Sequence, residues 1–333
     1  MIYITNITII NAFCPATDFF YPCVCSSQPA KRYDLTISCN GQHINDMDVM
    51  RAFTRLNTYL NGSMVSKTFC KLNISQTSVK NLYFYEIKLF KGLKFRSISI
   101  VDNPIENFDP YIFWSSYRMN RHFILKGHKS LVNYNRRDPL PILNRFIRLE
   151  VLSITDTNYD RIPKNAFSRT EQPFLKQIIL NNNEITHIDS CSFFTLHSLC
   201  FLDFSRNRIR KISDLAFAIK QPSSQRIVIN LHSNNLSDTS LAIRSLHYIN
   251  RPLFLILSDN LFTYLDDSIF APLLLNSEYA NTIVVSYNPL ICNCRFQWIV
   301  QNKHLLRDKI LGQPLCQDGR TIWSYTLDEL LPC

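Results

Sequence analysis

One spacing recurs along most of this chain. An apolar residue is followed by a second three positions on and a third two after that. An asparagine comes three further along, and more apolar positions follow it. The clearest copy is Leu175, Ile178, Leu180, Asn183, Ile185 and Ile188, with Phe193 behind them. Leu199, Leu202, Phe204, Asn207, Ile209, Ile212 and Phe217 repeat every offset. Leu149, Leu152, Ile154, Thr157, Tyr159, Ile162 and Phe167 do so with threonine in place of asparagine. Further copies align on Ile229, Leu231, Asn234 and Leu236, on Leu255, Leu257, Asn260, Phe262, Leu265 and Phe270, and on Ile283, Val285, Asn288 and Leu290. Upstream the register decays but holds through Leu72, Ile74, Thr77, Val79 and Leu82, and through Ile98, Ile100, Asn103, Ile105, Phe108 and Phe113. Phe123, Leu125 and His128 fill the remaining gap.

About nine repeats of roughly 24–29 residues result, a period within the range of leucine-rich repeats. The core of each copy reads as a short strand whose alternate side chains point inward and must be apolar. Strands of successive copies stack in parallel, and the residues between the inward ones line a concave face. The asparagine falls where the chain leaves the strand, where its amide satisfies backbone groups that would otherwise be buried unpaired. The expected fold is an α/β solenoid, a leucine-rich-repeat horseshoe with a parallel concave sheet, an irregular convex side and a cap at each end. Because each repeat contacts only its neighbours, the first and last would expose their core edges without such caps.

The cysteines sit where caps are needed. Of eleven, four fall at Cys14, Cys23, Cys25 and Cys39 and four at Cys292, Cys294, Cys316 and Cys333. Clustering in fours reads as two disulfide knots and an oxidising compartment. Zinc is the competing reading, although the spacings give no paired CxxC knuckles. Each group of four allows three connectivities. The segments Cys14-Pro15, Pro22-Cys23-Val24-Cys25 and Cys39-Asn40-Gly41 resemble the N-terminal cap of extracellular leucine-rich-repeat proteins. Asn288-Pro289-Leu290-Ile291-Cys292-Asn293-Cys294, with Phe296, Trp298 and Ile299, resembles the start of their C-terminal cap. The resemblance implies Cys14–Cys25, Cys23–Cys39, Cys292–Cys316 and Cys294–Cys333. The stretch from Cys14 to about Phe53 is also similar to secreted arthropod proteins of this class, including the non-catalytic subunit of a shrimp luciferase.

The expected organisation is a signal peptide at 1–13, an N-terminal cap and lead-in at 14–68, repeats over 69–290 and a C-terminal cap at 291–333. The leader lacks a basic start and a clear small-residue cleavage site. No apolar run reaches transmembrane length, and the chain stops at Cys333 without a tail for a lipid anchor, so a soluble secreted chain is expected. Three cysteines remain. Cys191 and Cys200 lie in adjacent repeats and are expected to form a bridge. Cys70 is left as a buried free thiol or an intermolecular disulfide.

Reading the register assigns the concave face. Its N-terminal half carries Lys71, Arg96, Asp102, Arg121 and Lys126. Its C-terminal half carries Glu150, Asp156, Lys176, Asp203, Arg206 and Asp259. The first set is mostly basic and the second mostly acidic. A basic stretch at Arg206, Arg208, Arg210 and Lys211 and a formal charge of +10 suit a polyanion, a solvated charged loop being the alternative. Asn61, Asn73 and Asn235 head glycosylation sequons, and Asn73 falls on the concave face.

Catalysis finds no footing. The six glycines build no phosphate loop, and there is no HExxH. His187, His197 and His232 lie in separate repeats, while Trp298 and Trp323 read as cap core. No cofactor or metal is implied. Nucleic acid is a poor partner, because no aromatic platform accompanies the basic residues. The expected function is a secreted, non-enzymatic binding protein whose concave face engages a protein or glycan. The alternatives are an accessory subunit of a secreted enzyme complex and a receptor ectodomain.

Overall fold

The computed structural model describes residues 14–15, 17–28, 31–61, 67–82, 89–127, 140–167 and 172–330. The chain forms two compact units, Met1–Leu149 and Glu150–Cys333. The expected leader at 1–13 and His128 lie outside the described residues.

Unit 1 opens on a hairpin, β1 (Val24–Gln28) antiparallel to β2 (Lys31–Asn40). From β2 onward all pairing is parallel, through β3 (Thr68–Ser75), β4 (Lys94–Val101) and β5 (His122–Lys126). Ile37 and Cys39 of β2 pair in register with Leu72 and Ile74 of β3 and are buried like them. The coil therefore begins inside the segment read as cap. The first coil returns through helix α1 (Asp46–Asn61), whose buried Val49, Ala52, Phe53, Leu56 and Leu60 follow helical spacing. Asn45 caps it, accepting from the Met47 and Asp48 amides, while Asp46 and Asp48 suit the positive end of the helix. Behind the sheet runs a phenylalanine spine. Centroids are 5.5 Å apart for Phe20 and Phe53, 4.7 Å for Phe53 and Phe90, 4.9 Å for Phe90 and Phe113, and 6.0 Å for Phe113 and Phe123. Phe123 and Leu125 take the inward positions of β5, so the decayed repeat keeps the register.

Unit 2 stacks β6 (Val151–Thr155), β7 (Gln177–Ile179), β8 (Phe201–Asp203), β9 (Ile227–Asn230), β10 (Leu253–Ile256), β11 (Thr282–Val284) and β12 (Ile310–Leu311), all in parallel. Leu152, Ile178, Leu202, Ile229, Leu255 and Ile283 align inward across six strands and are wholly buried. Behind them Phe167, Phe193 and Phe217 stack at 5.8 and 6.0 Å. Helix α2 (Asp267–Leu274) backs one late coil, capped by Asp266. β12 belongs to the cap and extends the sheet by one strand.

The turn leaving each strand holds one residue in the left-handed region. Gln76 and Asp102 occupy it in unit 1. Asp156, Asn182, Arg206, Ser233, Asp259 and Tyr287 do so in unit 2, at φ between 53° and 58°. Gly127 takes the same place after β5, where a Cβ would strike the Asp102 side chain. The next residue is the buried asparagine or threonine of the pattern. Asn260 Nδ2 donates to the carbonyls of Leu231, Leu257 and Ser258 at 2.9, 3.1 and 3.2 Å, and its Oδ1 accepts from the Leu236 amide at 3.0 Å. Asn207, Asn234 and Asn288 make the same set of bonds. Where threonine replaces asparagine, its hydroxyl donates to the next repeat's amide oxygen, at 2.6 Å for both Thr77–Asn103 and Thr157–Asn183. Each rung thus links one coil to the next.

Disulfides join Cys14 to Cys25, Cys23 to Cys39 and Cys292 to Cys316. Cys294 is also disulfide-bonded. Its expected partner, Cys333, lies outside the described residues. The expected Cys191–Cys200 bridge is absent, and both are free thiols, as is the half-buried Cys70. Cys200 enters β8, its amide donating to Lys176 O at 2.9 Å, whereas Cys191 sits on the back arc with its amide on Leu215 O at 3.0 Å. Stacking brings each residue against the same part of the neighbouring coils, so these two parts of the coil never meet.

Candidate functional face

In a parallel sheet covered on one side, the side chains pointing away from the core form the surface offered to a partner. Two rows make up this outward face in unit 2. Across β6 to β11 the first runs Val151, Gln177, Phe201, Val228, Phe254 and Thr282. The second runs Ser153, Ile179, Asp203, Asn230, Ile256 and Val284, continuing to Leu311 of β12. All but Ser153, which is buried, are half-buried. Neighbouring strands lie about 4.8 Å apart, so Phe201, Val228 and Phe254 form an unbroken apolar strip, as do Ile256, Val284 and Leu311. Asp203 interrupts the second row and is itself tied down, accepting from Asn230 Nδ2 and the Ser205 amide at 3.0 Å each.

The charged residues expected on the concave face are divided among strands, strand starts and exit turns. Lys71, Arg96, Lys126 and Asp203 lie within strands. Arg121, Glu150 and Lys176 stand where strands begin, Lys176 donating its amide to Glu150 O at 2.9 Å. Asp102, Asp156, Arg206 and Asp259 occupy the left-handed exit turns. In unit 2 these turns form a third line, in which Asn182 donates to Asp156 and the Ser233 hydroxyl donates to Asp259 at 2.5 Å. The line ends on Tyr287, 84% exposed at φ 58°. A bulky aromatic held in a backbone region it disfavours, with its ring in solvent, adds nothing to the core. His232 lies beside this line, with Nδ1 3.2 Å from Ser258 O.

Reading for charge passed over Phe201, Val228, Phe254, Ile179, Ile256 and Val284. The signal was present, because a solvated strand alternates apolar with polar and these strands carry apolar residues at both parities. The basic stretch is spread out by the coil. Arg206 joins the exit-turn line, Arg208 lies 3.4 Å from Glu184, and Lys211 sits in a short back-side strand, Lys211–Ile212. Of the sequons, Asn235 is exposed, Asn73 is half-buried with Nδ2 on Ser75 Oγ at 3.1 Å, and Asn61 is exposed at the end of α1. Trp298 anchors in the cap, its indole donating to Leu265 O at 3.0 Å. Among the described residues no helix is long and apolar enough to cross a membrane.

A family profile described as leucine rich repeat matches residues 173–218. Among curated proteins none matches, so the likeness to the luciferase subunit gains no support. Among solved structures the chain is similar to one from an octameric complex of Latrophilin 3, Unc5D and FLRT2. The match has 14% identity and a TM-score of 0.54 and covers 90% of each chain. At that identity the likeness concerns the fold, and it is to the repeats of FLRT2. This protein is a leucine-rich-repeat solenoid with disulfide bonds at both ends.

Proposed function

We propose that the chain is a secreted, non-enzymatic binding protein that engages a folded protein through the outward sheet face of unit 2. The observation that carries this reading is the pair of apolar rows centred on Phe201, Val228, Phe254 and Ile256. Half-buried apolar residues bordered by charges have the anatomy of an interface core with a polar rim. Tyr287, at the end of the exit-turn line, supplies an exposed aromatic anchor. Secretion is supported by the disulfides, which persist in oxidising compartments. The structurally similar chain comes from a complex of several proteins. Glycosylation at Asn235 would leave this face open, whereas a glycan on Asn73 would stand on the outward face of unit 1.

Affinity capture from extracellular fluid on the immobilised chain tests the proposal. Retention of a protein by the native chain and its loss in Phe254→Glu, with at least ~100-fold weaker binding, is expected for a central anchor. Equal retention by the two chains sinks the assignment of the face. An accessory role would instead show as co-purification with one catalytic chain. A receptor ectodomain would show as a precursor that extends beyond the cap into a membrane span.

A further inference from the structure

We infer that the cavity behind β10 in unit 2 binds a small organic acid with an apolar body. Successive coils of a solenoid normally close on one another without a gap. Between the turn that leads into β10 and the segment from α2 to β11 they do not, and a cavity of about 250 Å³ opens there. That is far more than the ~10–15 Å³ one water needs and short of the ~300–1,000 Å³ of drug-sized sites. Its size therefore suits a single ring or a short chain. Leu246, Ile249, Leu253 and Ile269 line it and are buried, and the half-buried Leu273 of α2 stands at its wall. Leu253 points inward from β10, whereas Phe254 points outward. The cavity and the proposed protein-binding face thus lie on opposite sides of the sheet.

Both walls are fixed by the fold. Asn281, 4% exposed, accepts the Leu253 amide on Oδ1 at 2.9 Å and donates from Nδ2 to Leu273 O at 2.9 Å, which ties the far wall to the strand. The near wall is a turn in which Tyr248 and Asn250 both take left-handed conformations, at φ 58° and 55°. A tyrosine disfavours that region, and this one is exposed, so no core packing explains it.

Charge selects the ligand. Arg251 lines the cavity with only 1% of its surface exposed. Its Nη atoms donate to Leu199 O, His197 O and Gln221 O, yet its Nε has no partner. Backbone carbonyls hold the guanidinium in place without cancelling its charge. A buried cation is ordinarily matched by an anion, because losing water without one is costly. Among the described residues no carboxylate forms an ion pair with Arg251. In the bordering segments Asp266 caps α2 and bonds Ser268, Asp267 and Glu278 are exposed, and none of the three lines the cavity. The ionisable groups that act on Arg251 are the Cys200 thiol and the Tyr279 phenol. Tyr279 and His247 also line the cavity, and among the described residues nothing bonds the Tyr279 hydroxyl or the His247 ring nitrogens. A carboxylate would supply the missing counter-charge and accept from these donors, while its hydrocarbon part would cover the leucine and isoleucine walls.

Titration of the full disulfide-bonded chain with 3-phenylpropionate, 3-phenylpropanol and 3-phenylpropylamine, followed by NMR, tests the assignment. The three share a body and differ in charge. The acid is expected to bind at least ~tenfold more tightly than the alcohol, as a charge-assisted bond to a buried guanidinium requires, and the amine not to bind. Equal binding of acid and alcohol, tighter binding of the amine, or no binding of the acid overturns the proposal. Leu273→Trp, which fills the cavity, should weaken the acid ~tenfold or more. Unchanged affinity in that variant places the acid elsewhere and overturns the proposal too. Phe254→Glu should bind the acid like the native chain, so loss of a protein partner and loss of the acid are separable. Arg251→Met also removes three bonds to the backbone. Where it folds, it should bind acid and alcohol alike, and a retained preference for the acid overturns the role of Arg251. Where it does not, the native chain and Leu273→Trp still decide.

Discussion

Each rung asparagine is a buried polar side chain whose amide nitrogen and oxygen are both hydrogen-bonded. Asn260 satisfies three carbonyls and one amide from two coils, and Asn207, Asn234 and Asn288 do the same for their own pairs. Alanine at this position would strand four backbone groups away from water, whereas at the adjacent, exposed Asn235 or Leu261 it would disturb little. Asn260→Ala is expected to destabilise the fold by about 2–4 kcal/mol and Asn235→Ala by less than about 0.5 kcal/mol. Chemical denaturation of the two variants checks this, and equal midpoints would show that the rung is dispensable. Arg251 is another buried polar residue that ties coils together. It is 1% exposed, and its guanidinium donates to Leu199 O, His197 O and Gln221 O at 2.8, 3.1 and 3.2 Å. Burial pulls its pKa down, because losing water disfavours the charged form.

At the scale of elements, the ends of the solenoid depend on local chemistry. The C-terminal cap closes partly through a surface network in which Arg320 bonds Asp318 at 2.8 Å and Glu329 at 3.0 Å and lies over the Tyr325 ring. The Tyr325 hydroxyl donates to Asp318 at 2.6 Å. That bond, followed by the Arg320 bonds, holds the Asp318 carboxyl at about 2, below its ordinary 3.8. The lowered value fixes the sign. Asp318 contributes stability that is fully present above pH 3.8 and is lost as pH falls towards 2. The network is exposed, so the effect is small and salt-sensitive. Between those pH values Asp318→Asn is expected to flatten the acid-dependent loss of cap protection, followed by amide exchange at Cys316 and Ile322. An unchanged pH profile would remove the assignment.

At the scale of the molecule, stability resides in contacts between neighbouring coils, and the caps keep the end coils from fraying. All the disulfides described lie in those caps, within 24 residues of sequence for the longest loop, and none crosses the repeats. The coils between them rely on apolar stacking and asparagine rungs. Alkylation of the unreduced, denatured chain should therefore label three thiols, Cys70, Cys191 and Cys200. A peptide joining Cys191 to Cys200 in the mass spectrum would contradict the separation of these two parts of the coil. The proposed partner surface also belongs to this scale. Phe201, Val228 and Phe254 are far apart in sequence and become one strip only because the coil returns every strand to the same place.

The solenoid was legible in the sequence because its rule is local and repeated. Each coil needs the same inward residues and the same turn amide, so one spacing, copied from Leu72 to Leu290, encodes the architecture. The four-cysteine groups marked the caps for the same reason, since an exposed core edge has to be covered where the repeats stop. Other features waited for the tertiary structure. The start of the coil in β2, the helix behind it and the failure of Cys191 to reach Cys200 depend on which part of the coil a residue occupies. The same holds for the outward faces. Between the inward positions the repeat tolerates many residue types, so the spacing does not say which of them gather into an apolar strip. Only the stacking register, by setting residues about 25 positions apart side by side, makes that choice.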